Sequence, residues 1–70
     1  MQIILNGEPH TLPNETAESF YIADLIEQLG LTGQRLAIEL NGDIVPRSQH
    51  ASFALNDGDK VEIVRAIGGG

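Results

Sequence analysis

The chain has 70 residues, 41% hydrophobic and 20% charged, which places it among single globular domains rather than disordered segments. A domain this short buries only about 60% of the surface its unfolded chain exposes, so its core is thin and leaves little room for an enclosed active site. Four Lys plus Arg stand against ten Asp plus Glu, net charge -6, which argues against nucleic-acid binding and fits either plain solubility or a basic protein partner.

Residues 1–5 are apolar and predict a first strand; Asn6-Gly7 then gives a hairpin turn, because both residues tolerate positive φ. A second strand is expected over residues 8–12, and its Pro9, lacking a backbone donor, belongs on a sheet edge. A helix is predicted over residues 19–29, where Ile22, Leu25, Ile26 and Leu29 fall on one apolar stripe. Ser19 is the favoured N-cap, with Thr16 the alternative, and Gly30 is a natural stop.

Residues 35–40 alternate, with Leu36, Ile38 and Leu40 on one face and Glu39 on the other. Asn41-Gly42 is a second hairpin signal, and residues 43–46 give a short strand whose Pro46 again marks an edge. Residues 47–54 have no period and are expected to cross the fold as irregular chain or a short helical turn, pinned by Phe53 and Leu55. After a turn at residues 56–59, residues 60–66 form a last strand with Val61 and Ile63 inward.

Hairpin, helix, hairpin, crossing segment and strand, in that order, predict an α+β domain. The proline-bearing strands lie outside and the apolar last strand lies centrally. The expected fold is a ubiquitin-like β-grasp spanning residues 1–70, a mixed five-stranded sheet of order 2-1-5-3-4 packed on one helix. A β-rich binding barrel is the alternative.

Without cysteine there is no disulfide, thiolate metal site or thiol nucleophile, which suits a reducing compartment. The first seven residues do not read as a signal peptide and no apolar run reaches membrane-spanning length, so a cytoplasmic protein away from membranes is expected. His10 and His50 have no third ligand at metal spacing, and Asp57 and Asp59 are too few for a calcium loop. Ser48, His50 and Ser52 lack a placed acid or a nucleophile elbow. Lys60, the only lysine, is assigned no role.

The chemistry is expected in residues 67–70, read as a flexible reactive tail. Three glycines there have no side chain to bury, and the four residues extended reach roughly 13 Å. Glycines alone also fit a frayed end. Following a central strand of this fold, they suit a backbone carboxylate that threads a narrow enzyme channel and is activated as an acyl-adenylate. Val64, Ala66 and Ile67, with Gly68 and Gly69, are the candidate partner-binding residues, and Gly70 is the candidate reactive residue.

The sequence resembles the ThiS family, the sulfur carriers of thiamine biosynthesis. The likeness covers nearly the whole chain. It is carried by Met1-Gln2-Ile3 with Asn6-Gly7, residues 24–29, Ala37-Ile38-Glu39 with Asn41-Gly42, Ile44-Val45-Pro46-Arg47, Asp57-Gly58-Asp59, Val61-Glu62-Ile63-Val64 and Ala66-Ile67-Gly68-Gly69-Gly70. Residues 12–19 depart from the pattern by a longer connection, and Tyr21 stands where a Thr-like cap is common.

The resemblance implies a protein co-substrate rather than an enzyme, with no permanently bound cofactor. An E1-like adenylyltransferase of the ThiF type would adenylate Gly70 with ATP. A cysteine desulfurase relay would supply sulfur, and the thiocarboxylate would feed a thiazole synthase of the ThiG type. The alternatives are the small subunit of molybdopterin synthase, a ubiquitin-like modifier joined to lysines, and a plain adaptor with an idle tail.

Overall fold

The computed structural model describes residues 1–13 and 19–65. Among them the chain forms β1 (Gln2–Leu5), β2 (Glu8–Thr11), α1 (Ile22–Gln28), β3 (Leu36–Leu40), β4 (Asp43–Ile44), a 3-10 turn at Arg47–Gln49, and β5 (Lys60–Arg65). The strands make a mixed sheet of order β2-β1-β5-β3-β4. β1 runs parallel to β5, and the other neighbours are antiparallel. This is the β-grasp order expected from the sequence, and it removes the barrel alternative.

Both hairpins use the Asn-Gly turns. Asn6 and Gly7 have φ of 50° and 84°, and Asn41 and Gly42 have 52° and 92°, the left-handed pair that matches strand twist in a two-residue loop. Pro9 and Pro46 keep their strands outside: β2 and β4 are the two edges. β4 is shorter than the expected 43–46, ending at Ile44. Val45 still donates to the Ile38 carbonyl at 2.9 Å, but Pro46 has no N–H to continue the ladder.

α1 starts three residues later than the sequence suggested, and Tyr21 rather than Ser19 occupies the N-cap position. The reason is tertiary. The first two helical N–H groups, of Ile22 and Ala23, donate to the carbonyls of Phe53 (3.0 Å) and His50 (2.8 Å) in the crossing segment. These carbonyls take the place of a Ser or Thr cap. Tyr21 N–H in turn donates to the Asp24 carboxylate at 2.8 Å, one half of a capping box. At the other end Gly30 (φ 74°) donates to Glu27 and Leu31 donates to Ile26, both at 3.0 Å, the paired bonds of a Schellman stop. The alternative cap Thr16, most of the long connection over 12–19, and Ala66 as the end of the last strand lie outside the described residues.

The core is one cluster: Ile3, Val61, Ile63 and Ile38 from the sheet meet Ile22, Leu25 and Ile26 of α1, closed by Leu12, Val45 and Leu55. Burying each such side chain is worth about 1.5–3 kcal/mol relative to leaving it in water. Leu55 is a buried pin of the crossing segment at 4% exposure, whereas Phe53 is 38% exposed and lies outside the core cluster, its carbonyl accepting from the Ile22 N–H. Among the described residues no buried side-chain polar atom lacks a partner.

The Asp57-Gly58-Asp59 turn binds the start of β1. Gln2 N–H donates to Asp57 Oδ1 at 2.8 Å, and Gly58 N–H returns to the Gln2 carbonyl at 2.7 Å. Asp59 closes its own turn by accepting from Asn56 N–H at 2.8 Å. The turn thereby sets where β5 begins beside β1. β5 runs through the middle of the sheet to Arg65, the last described residue.

Candidate functional site

The sheet has two faces, and α1 covers one. Val61 and Ile63 point to the helix, so Lys60, Glu62 and Val64 point away. The register then fixes the rest of the open face. Ala37 lies opposite Val64, Glu39 opposite Glu62, and Ile44 opposite Glu39 on the far side. Ile4, half-buried, lies beside Lys60.

Ile44 and Val64 are 71% and 60% exposed, apolar side chains on water, Val64 on the last strand and Ile44 on the edge strand beyond β3. On this face the two exposed apolar side chains are separated by the carboxylates of Glu39 and Glu62. Of the predicted partner-binding residues, the structure places Val64 on this face. Ala66, Ile67, Gly68 and Gly69, and the predicted reactive residue Gly70, lie outside the described residues.

Ile44 was not singled out from the sequence, although the signal was there. Leu36, Ile38 and Leu40 inward put Glu39 outward, and a two-residue turn at Asn41-Gly42 sets Ile44 opposite Glu39. Two further residues were read only as turn formers. Asn6 accepts from the Ile63 N–H at 2.8 Å and donates to the Ile63 carbonyl at 3.3 Å. Asn41 accepts from the Lys60 N–H at 2.9 Å. Each turn asparagine thus grips β5 from one side.

Among the described residues the other polar groups do not assemble into a reaction centre. A groove of ≈ 250 Å³ on the helix side is lined by Ser48, His50 and Arg47 with Ala23, Ile26 and Leu36, and its lining includes no carboxylate to orient the histidine. The His50 ring is tied to the Val45 carbonyl at 3.3 Å and the His10 ring to Gln28 at 2.8 Å. Among the described residues no three metal-ligating side chains converge. No helix of the described residues is long and apolar enough to cross a membrane.

Comparison with known proteins decides the family, since the model of the ThiS family matches residues 3–70. The chain belongs to the ThiS family. The Sulfur carrier protein ThiS of Escherichia coli is 33% identical over 70 residues, covering 100% of both chains. The crystal structure of the thiamine biosynthesis protein ThiS from Geobacter metallireducens superimposes with a TM-score of 0.80 at 32% identity, again over 100% of both chains. A thiazole synthase of Paramagnetospirillum magneticum is 41% identical over all 70 residues. This ThiS-family chain spans only 20% of the length of that enzyme.

Proposed function

We propose that the chain is a sulfur carrier of thiamine biosynthesis whose working group is the carboxylate of Gly70. The observation that carries this reading is the full-length similarity to a protein named as a sulfur carrier, on a family match that runs through the final glycines. In the first step a carboxylate oxygen attacks the α-phosphorus of ATP in an E1-like enzyme, and pyrophosphate leaves. A persulfide from a desulfurase relay then attacks the acyl carbon, AMP leaves with the oxygen, and a thiol cleaves the resulting acyl disulfide, leaving the thiocarboxylate on the chain and the two sulfur-delivering thiols joined as a disulfide. The net change is one oxygen replaced by sulfur. The thiocarboxylate donates that sulfur to thiazole synthase.

The folded domain takes no part in bond making and acts as the handle that partners grip. The open sheet face suits this, because Val64 lies two positions before Ala66 and shares the face with Ala37 and Ile44. Glu39 and Glu62 at its centre fit a partner surface that is apolar with basic residues. Similarity to a segment of thiazole synthases favours the thiamine pathway over molybdopterin synthesis, because it links this kind of domain to that enzyme.

The test is ATP–pyrophosphate exchange by the activating enzyme in the presence of the chain ending at Gly70. Exchange that depends on the chain and disappears when Gly70 is deleted supports the carrier. Exchange unaffected by the deletion contradicts it. Lysine conjugates in place of a thiocarboxylate would identify a modifier, and neither product would identify an adaptor.

A further inference from the structure

We infer that Asn6 is a positioning residue, holding the C-terminal half of β5 in line up to Arg65, so that the end of the described strand is presented in fixed register to the enzyme that adenylates the chain. The inference rests on the carrier reading above. β1 pairs with β5 only as far as Leu5 opposite Val61, and the chain then turns away at Asn6-Gly7. On the other side β3 continues to Leu36 opposite Arg65. From Ile63 onward, therefore, β5 has a neighbouring strand on one side only.

Asn6 fills the gap. Its own N–H donates to the Val61 carbonyl at 2.9 Å, as a further residue of β1 would. Its side-chain Oδ1 then accepts from the Ile63 N–H at 2.8 Å while Nδ2 donates to the Ile63 carbonyl at 3.3 Å. A primary amide presents a donor and an acceptor side by side, so it imitates a peptide group and extends the ladder by one step. The turn alone does not require this. Asp-Gly or Gly-Gly would serve the same φ values, but a carboxylate gives Ile63 no donor and glycine gives it neither group.

Asn41 supplies an internal comparison. It sits in the same kind of turn and grips the same strand, accepting from Lys60 N–H at 2.9 Å and donating to Asp59 Oδ1 at 3.0 Å. It does so at the start of β5, five residues from Arg65, on the side of β3. The two asparagines are thus matched in chemistry and opposed in place.

The experiment compares Asn6→Gly with Asn41→Gly in the adenylation assay, using the whole chain at a temperature where both variants are folded. Glycine keeps the positive φ of each turn and removes only the amide. Asn6→Gly is expected to raise the KM for the carrier by about 3- to 10-fold with kcat unchanged, the size of one or two lost net hydrogen bonds. Asn41→Gly is expected to lower stability by a similar amount and leave both constants unchanged.

Asn6→Asp, which keeps the acceptor, is expected to fall between wild type and Asn6→Gly. Amide exchange gives a readout independent of the enzyme: Ile63 loses protection in Asn6→Gly, and Lys60 in Asn41→Gly. Identical kinetics for the two glycine variants, or an Ile63 amide indifferent to Asn6, would overturn the inference. A wild-type chain that is not adenylated at all would instead overturn the carrier reading, while amide exchange would still judge the grip on Ile63.

Discussion

Glu39 and Glu62 face each other across the β3–β5 ladder, both exposed on the side of the sheet that the helix leaves open. Like charges directly opposite in a sheet are destabilising, and this chain already carries a net charge of -6. Glu62→Lys should therefore raise stability by up to about 1 kcal/mol, read as a higher urea midpoint at low salt. The gain should shrink as salt is added, because exposed charges are screened. A lowered midpoint would mean that the two carboxylates do not repel in the folded state.

Val64 stands across from Ala37 and is 60% exposed, so its side chain adds little to the core. Val64→Asp should leave the fold intact, within about 1 kcal/mol, since only strand preference and surface packing change. If the open face is what partners grip, kcat/KM for adenylation should fall by about 10-fold or more. Ile67→Asp should behave in the same direction. Normal adenylation of both variants would remove the docking face from the account.

Asp24 accepts the Tyr21 N–H at 2.8 Å and lies in the first turn of α1, where a negative charge also meets the helix dipole. Asp24→Ala should destabilise the domain by about 1 kcal/mol, after allowing for the better helix propensity of alanine. Thermal unfolding checks this. An unchanged midpoint would show that the Phe53 and His50 carbonyls alone hold the helix start.

Much of this architecture was legible because local chemistry and tertiary structure agree. The two Asn-Gly pairs, the stripe of Ile22, Leu25 and Ile26, the Gly30 stop and the alternation of Leu36, Ile38 and Leu40 each gave the element found. Pro9 and Pro46 gave the edges, and with them the strand order. The helix start was misread because its donors are satisfied by carbonyls some thirty residues away, a contact with no local signature. Phe53 was misread as a pin because hydrophobicity alone does not say which apolar residue of an irregular segment turns inward.

The site was legible in part. Val64 follows from alternation along β5, and Ile44 would have followed from register. The grips of Asn6 and Asn41 on β5 would not, since they depend on side-chain amides meeting the backbone of a strand more than fifteen residues distant in sequence.

The central claim is tested most directly by the intact mass of the chain, prepared to end at Gly70, after incubation with ATP, its activating enzyme and a sulfur donor. The account predicts a gain of about 16 Da, oxygen exchanged for sulfur, confined to a C-terminal fragment containing Gly70 and dependent on ATP. An unchanged mass with an activating enzyme shown to be competent, or a gain located elsewhere in the chain, would contradict it.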